Sequence, residues 1–205
     1  MAPNELEGPE KRTEREAKLI AVLKSDASLH DKMGACRELA VVGTRAAIPA
    51  LAELLLDEKL SHMARYALEP IPDAAADEAL IGALAKASGR ALAGIAVSLG
   101  VRRCARATGP LAELLGHSDA AVAAAAARSL GRVGTLEAAK ALAEKFSAAP
   151  AGARLALADG CLACAESLAR WGAKGDAAAL CAAVAKAELP EHVRAAAERA
   201  AAALR

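Results

Sequence analysis

Residues 128–146 read RSLGRVGTLEAAKALAEKF, which is two amphipathic segments joined by a glycine and a threonine. Apolar residues recur three or four positions apart on each side of the junction, as expected of helices with one buried face. Gly134 lies four residues after Leu130, where a glycine commonly ends a helix, and Thr135 follows as a plausible N-cap. The stretch therefore predicts a pair of helices joined by a tight turn.

This pattern occurs five times along the chain. The second segment is AIPALAELL, ADEALIGAL, ATGPLAELL, AAKALAEKF or DAAALCAAV, beginning at residues 47, 76, 107, 138 and 176. Every copy has a leucine with another leucine twelve residues before it; the pairs are Leu39 and Leu51, Leu68 and Leu80, Leu99 and Leu111, Leu130 and Leu142, Leu168 and Leu180. Successive copies are 29, 31, 31 and 38 residues apart, the length of two short helices with their turns. We expect the longer last unit to have a longer first helix.

Turn residues fall where this register requires them. The position four residues after the first leucine of a pair is occupied by Gly43, Pro72, Gly134 and Gly172. Thr44, like Thr135, follows its glycine as a plausible N-cap. The five copies and their turns predict an all-α fold, an α-α superhelix of about six helix pairs.

The composition favours the same fold. Of 205 residues 55% are hydrophobic, yet the chain has one Trp, one Tyr and one Phe, so the core is built from small aliphatic residues that favour helices. Residues 1–15 are polar and contain two prolines, and we predict a disordered or polar lead-in there, followed by the solenoid over residues 16–205. The longest apolar run, residues 120–127, is too short to span a bilayer, so we expect a soluble protein without membrane insertion.

The repeat resembles HEAT repeats, in particular the short bacterial kind grouped with phycobilisome-lyase repeats. The similarity is carried by AARSLGRVGT at 126–135 with ALAEK at 141–145, and by VVGTRAAIPALAELL at 41–55. The resemblance covers about residues 17–205 and implies a HEAT-like solenoid. It also implies that the helices with the first leucine of each pair, such as the one with Leu130, line a concave surface; the family counts these as the second helices of its repeats.

Arginines are concentrated in the middle of the chain. Six lie between residues 90 and 134, where the only acidic residues are Glu113 and Asp119. Arg128 and Arg132 flank Leu130 by two positions and point away from the core. With the concave surface that the resemblance implies, the predicted partner-binding residues are Arg37, Tyr66, Arg102, Arg103, Arg128, Arg132, Arg170 and Trp171. The alternative is that these arginines are solvated or paired with acidic residues of the same chain.

No residue pattern indicates catalysis, a cofactor or a metal. Cys161 and Cys164 form a CxxC within a predicted helix, and Cys181 lies on the next one, but no second ligand pair completes a zinc site. We interpret these cysteines as small buried apolar residues. The four histidines fall in or beside turns, and no nucleophile motif or phosphate-binding loop occurs.

The sequence therefore predicts a non-catalytic scaffold that binds an acidic protein or peptide. Nucleic-acid or other polyanion binding is an alternative, disfavoured by a net charge of +1 and the scarcity of stacking aromatics. A bilin lyase or chaperone-like role is another, suggested only by the family resemblance. Five cysteines, an odd number, fit reduced thiols and a cytoplasmic default; an extracytoplasmic location is the alternative if a signal peptide has been removed.

Overall fold

A computed structural model describes residues 8–204, and over that range the chain is helical with no β-strand. The prediction of an all-α fold with helices packed in neighbouring pairs is confirmed. The chain divides into two compact units, with the division between Ile95 and Ala96. None of the helices in residues 8–204 combines the length and apolar character that crossing a membrane requires.

The first unit is built from two layers of helices. Its helices are α1 (Pro9–Lys24), α2 (Leu29–Val42), α3 (Ile48–Glu53), α4 (Ser61–Leu68), α5 (Ala74–Leu84) and the beginning of α6 (Gly89–Val101). One layer is formed by α1, α3 and α5, in which each helix packs on the next. The other layer includes α2 and α4, which pack on each other. This alternation is the one expected of a stack of helix pairs.

The second unit repeats the two-layer arrangement. It contains the end of α6, α7 (Thr108–Glu113), α8 (Ala120–Val133), α9 (Leu136–Ala148), α10 (Ala151–Arg170), α11 (Lys174–Ala185) and α12 (Glu191–Ala203). In one layer α7 packs on α9 and α9 on α11, while in the other α8 packs on α10. Each layer buries an apolar stripe that a single pair could not cover.

The leucines of the twelve-residue register form the cores of the two units. All ten are buried, and eight of them have no exposed surface. The predicted caps are also confirmed: the Thr44 hydroxyl accepts a hydrogen bond from the Ala46 N–H, and the Thr135 hydroxyl accepts one from the Ala138 N–H. Local signals in the sequence thus placed both the buried faces and these two turns.

One boundary differs from the sequence expectation. Residues 9–15, assigned to the lead-in, belong to α1, which has Pro9 at its first position, where the missing N–H has no helical partner to lose. This segment is tied to α2 by an ion pair of 2.6 Å between Arg15 Nη2 and Glu38 Oε2. Residues 1–7 of the predicted lead-in lie outside the described residues.

The extra length of the last unit lies in its first helix, α10, which carries Leu168. Helix α10 has 20 residues, whereas α9 and α11 have 13 and 12. The extension begins directly after Pro150 and is rich in alanine and leucine, which propagate a helix at little cost. The expectation of a longer first helix in the last unit is therefore confirmed.

Glycines allow α8 and α10 to approach closely. A Cβ atom added at Gly131 of α8 would lie 2.7 Å from the Gly160 carbonyl oxygen and 2.8 Å from Ala163 Cβ. One added at Gly160 of α10 would lie 2.6 Å from the Ala127 carbonyl oxygen. Such distances are shorter than van der Waals contact, so the packing of these two helices requires both glycines.

Candidate partner-binding groove

A surface groove of about 470 Å³ lies in the second unit, where α8 and α10 end and α9 begins. It is lined by Arg103, Val133, Gly134, Thr135, Leu136, Leu168, Trp171 and Ala173. None of these lining residues carries a carboxylate. The groove therefore combines an apolar lining with one cationic side chain.

Two apolar side chains of this groove are exposed. Trp171, the only tryptophan in the chain, has 76% of its surface exposed, and Leu136 has 46%. Val133 and Leu168, which also line the groove, are buried. A tryptophan left open beside buried aliphatic residues is a common feature of interfaces, because its large ring gains most from being covered.

Arg103 has an unusual backbone conformation. Its φ is +52°, and it is the only residue other than glycine with positive φ among residues 8–204. It ends α6 in a Schellman turn, in which the Cys104 N–H donates to the Leu99 carbonyl at 3.0 Å and the Arg103 N–H donates to that of Gly100 at 3.1 Å. This turn normally takes a glycine at the position of Arg103.

The corresponding turns of the second unit do have glycine. Gly134 after α8 has φ of +66°, and Gly172 after α10 has φ of +85°. All three residues lie four positions after a register leucine. A side chain in the left-handed region costs roughly 1 to 2 kcal/mol. Arg103 therefore lines the groove at a cost in stability that Gly134 and Gly172 avoid.

The other predicted arginines of the second unit have different surroundings. Arg128 and Arg132 are exposed on α8, and neither forms an ion pair or hydrogen bond with another described residue. Arg132 directly precedes Val133 of the groove.

Arg170, by contrast, is paired within the chain. Its guanidinium donates to Glu166 Oε1 at 2.7 Å, which agrees with the alternative that predicted arginines pair with acidic residues of the same chain. Arg102 is half-buried.

The remaining predicted residues, Arg37 and Tyr66, lie on α2 and α4 of the first unit and are exposed. Of the predicted set, the groove brings together Arg103 and Trp171. Leu136 was not among the residues predicted from the sequence, although it directly follows the Thr135 cap and lies outside the leucine register of the core. This position in the sequence was the signal that could have identified Leu136 as a residue outside the core.

The cysteines are buried apolar residues, as interpreted from the sequence. Burial raises the pKa of Cys161 to about 12, with further contributions from Cys164 and Cys181, and burial raises that of Cys164 to about 11. In this environment the thiols are protonated at neutral pH and act as small apolar side chains. Across residues 8–204, no group of three or more His, Cys, Asp or Glu side chains is arranged to hold a metal ion.

Comparison with known proteins adds information on the fold. No protein-family model matches the chain, and no curated protein matches it. Among solved structures, the chain is similar to the crystal structure of an engineered protein, with 21% identity and a TM-score of 0.52 over 93% of this chain and 96% of the other. At this identity the similarity concerns the fold alone.

Proposed function

We propose that this chain is a non-catalytic, HEAT-like interaction module whose second unit binds an acidic peptide segment of a partner protein. The segment places an apolar side chain against Trp171 and Leu136 and a carboxylate against Arg103. The two-layer stacking of helix pairs and the leucine register support the HEAT-like part of this proposal. Modules of this kind commonly present extended surfaces to partners.

The observation that carries the proposal is the left-handed conformation of Arg103 at the groove. Backbone strain is retained where a side chain is needed for function, and two neighbouring turns of the same unit use the unstrained residue. A guanidinium forms planar, paired hydrogen bonds with a carboxylate. Arg132, exposed beside the groove and without an ion pair among residues 8–204, adds positive charge that complements an acidic segment.

The test uses a display library of random twelve-residue peptides selected on the whole protein. We expect enrichment of sequences with Asp or Glu around one Leu, Phe or Trp. Against a selected peptide, Arg103→Gly is expected to weaken binding about tenfold through the loss of a charge-assisted hydrogen bond. Trp171→Ala is expected to weaken it at least as much. Fluorescence anisotropy at 0.05 and 0.5 M NaCl measures both effects, and affinity falls with salt because exposed charges are screened.

Arg103→Gly has a second expected effect that separates function from folding. Because glycine adopts positive φ without a steric penalty, the variant is expected to be more stable than the parent by about 0.5 to 1 kcal/mol. Urea unfolding followed by circular dichroism measures this change. Weaker binding by a more stable protein is a combination that damage to the fold cannot produce.

Arg194→Gln on α12 is the matched control, since Arg194 is exposed in the same unit but does not line the groove. It is expected to bind the selected peptides unchanged. The proposal is wrong if the library yields no acidic consensus, or if Arg103→Gly and Arg194→Gln bind equally well. Tighter binding of a single-stranded oligonucleotide, with a steep fall of log affinity against log salt, would favour the nucleic-acid alternative instead.

A further inference from the structure

A second recess lies in the first unit and is formed by other residues than the groove. It has a volume of about 490 Å³, within the range of small-molecule sites, and lies between the beginnings of α4 and α6. Its lining includes His62, Arg65, Lys86 and Arg90, with Glu58 as the one acidic residue of the lining. Three permanent cations thus converge on a cavity that contains one carboxylate.

Arg65 is held at this cavity by a contact with α6. Its Nη1 donates to the Gly94 carbonyl at 3.0 Å, and its Nη2 lies 3.5 Å from His62 Nδ1. A Cβ added at Gly94 would lie 2.5 Å from the guanidinium carbon, so the absence of a side chain at Gly94 makes room for the arginine. Burial lowers the pKa of Arg65, while Glu69 raises it.

The wall of the cavity also offers uncharged donors. Ser61 is 6% exposed, and its hydroxyl has no hydrogen-bond partner among the described residues. Helix α4 has no side-chain cap, and the backbone N–H of His62, a lining residue, has no acceptor within residues 8–204. A buried hydroxyl and an open N–H at a helix start are donors that bind oxyanions.

We infer that this cavity is a binding site for the phosphate group of a small molecule. Lys86 and Arg90 neutralise the phosphate charge, Arg65 donates from its fixed position, and Ser61 with the first turn of α4 completes the coordination. Phosphate suits the site better than a carboxylate because it has more acceptor oxygens and a higher charge. This inference is independent of the peptide groove, since no lining residue is shared.

The experiment titrates inorganic phosphate into the whole protein at constant ionic strength, with acetate as the comparison anion. Binding is followed by ¹H–¹⁵N correlation spectra and by the rise in Tm. We expect a saturable shift of the His62 amide signal with phosphate and none with acetate. Because each lost charge-assisted hydrogen bond weakens binding about tenfold, Lys86→Gln with Arg90→Gln is expected to raise the apparent Kd at least tenfold.

Two further variants make the result specific. Gly94→Ala displaces the Arg65 guanidinium without removing its charge, and is expected to raise the Kd several-fold while helicity is unchanged. The control, Lys18→Gln with Lys24→Gln, removes the same charge from exposed positions on α1 and is expected to bind as the parent does. The inference is overturned if phosphate causes no saturable shift up to about 20 mM, or if the control weakens binding as much as Lys86→Gln with Arg90→Gln.

Discussion

The contact between α8 and α10 in the second unit and the contact between α4 and α6 in the first unit both depend on a glycine, but the neighbours differ. Gly131 faces the backbone of α10, including the Gly160 carbonyl oxygen at 2.7 Å from an added Cβ. Gly94 faces the end of a long side chain, the Arg65 guanidinium. The first contact forms a tight helix interface, and the second forms the wall of a polar cavity.

Glycine thus allows close packing of two helix backbones at Gly131 and leaves room for a long side chain at Gly94. Backbone atoms of a packed helix move only if the helix moves, whereas a guanidinium moves by rotation of its own side chain. The glycines of the second unit therefore allow two helix backbones to approach closely, and Gly94 of the first unit makes room for the Arg65 side chain. Substitutions in the two units should consequently have very different effects on stability.

The largest effect on stability is expected from Leu130→Ala, a substitution in the core next to Gly131. Leu130 has no exposed surface, so the substitution removes buried methyl groups and leaves a cavity. The free energy of unfolding is expected to fall by about 2 to 5 kcal/mol, measured by urea unfolding. Leu111→Ala, equally buried on α7, is expected to behave similarly. A change below about 0.5 kcal/mol would show that the leucine register does not form the core.

A smaller loss is expected from Gly131→Ala. Alanine is a better helix former than glycine, but its Cβ would overlap the backbone of α10, which cannot yield locally. We expect a net loss of about 1 to 3 kcal/mol, measured as above. A stabilised Gly131→Ala variant would mean that α8 and α10 are less closely packed than the distances indicate.

The smallest change in stability is expected from Gly94→Ala. The Arg65 guanidinium can swing away from the added methyl group, and the helix gains from alanine in its interior. These effects oppose each other, so the free energy of unfolding should change by less than about 0.5 kcal/mol. A loss of stability as large as that of Gly131→Ala would show that Gly94 serves close helix packing, as Gly131 does. The two units would then not differ in this respect.

Much of the fold was readable from local patterns. The twelve-residue leucine spacing defined the buried face of each helix, and the caps at Thr44 and Thr135 followed from the residues themselves. These features depend on residues that are close together in the sequence. The spacing of residue types along the chain therefore predicts them. The beginning of α1 at Pro9 was missed, since helix ends are set by weak and competing local preferences.

The sequence alone predicts an all-α fold of helix pairs with a leucine register, and it predicts exposed arginines near the helices that carry the first leucine of each pair. Which residues meet in space depends on the packing of those helices. Arg103 and Trp171 are 68 residues apart, and Arg65 and Gly94 are 29 apart, yet each pair shares one site. Periodicity gives the face on which a residue lies, but not the helix that this face meets. The meeting of side chains distant in sequence depends on how helices pack and how each turn ends.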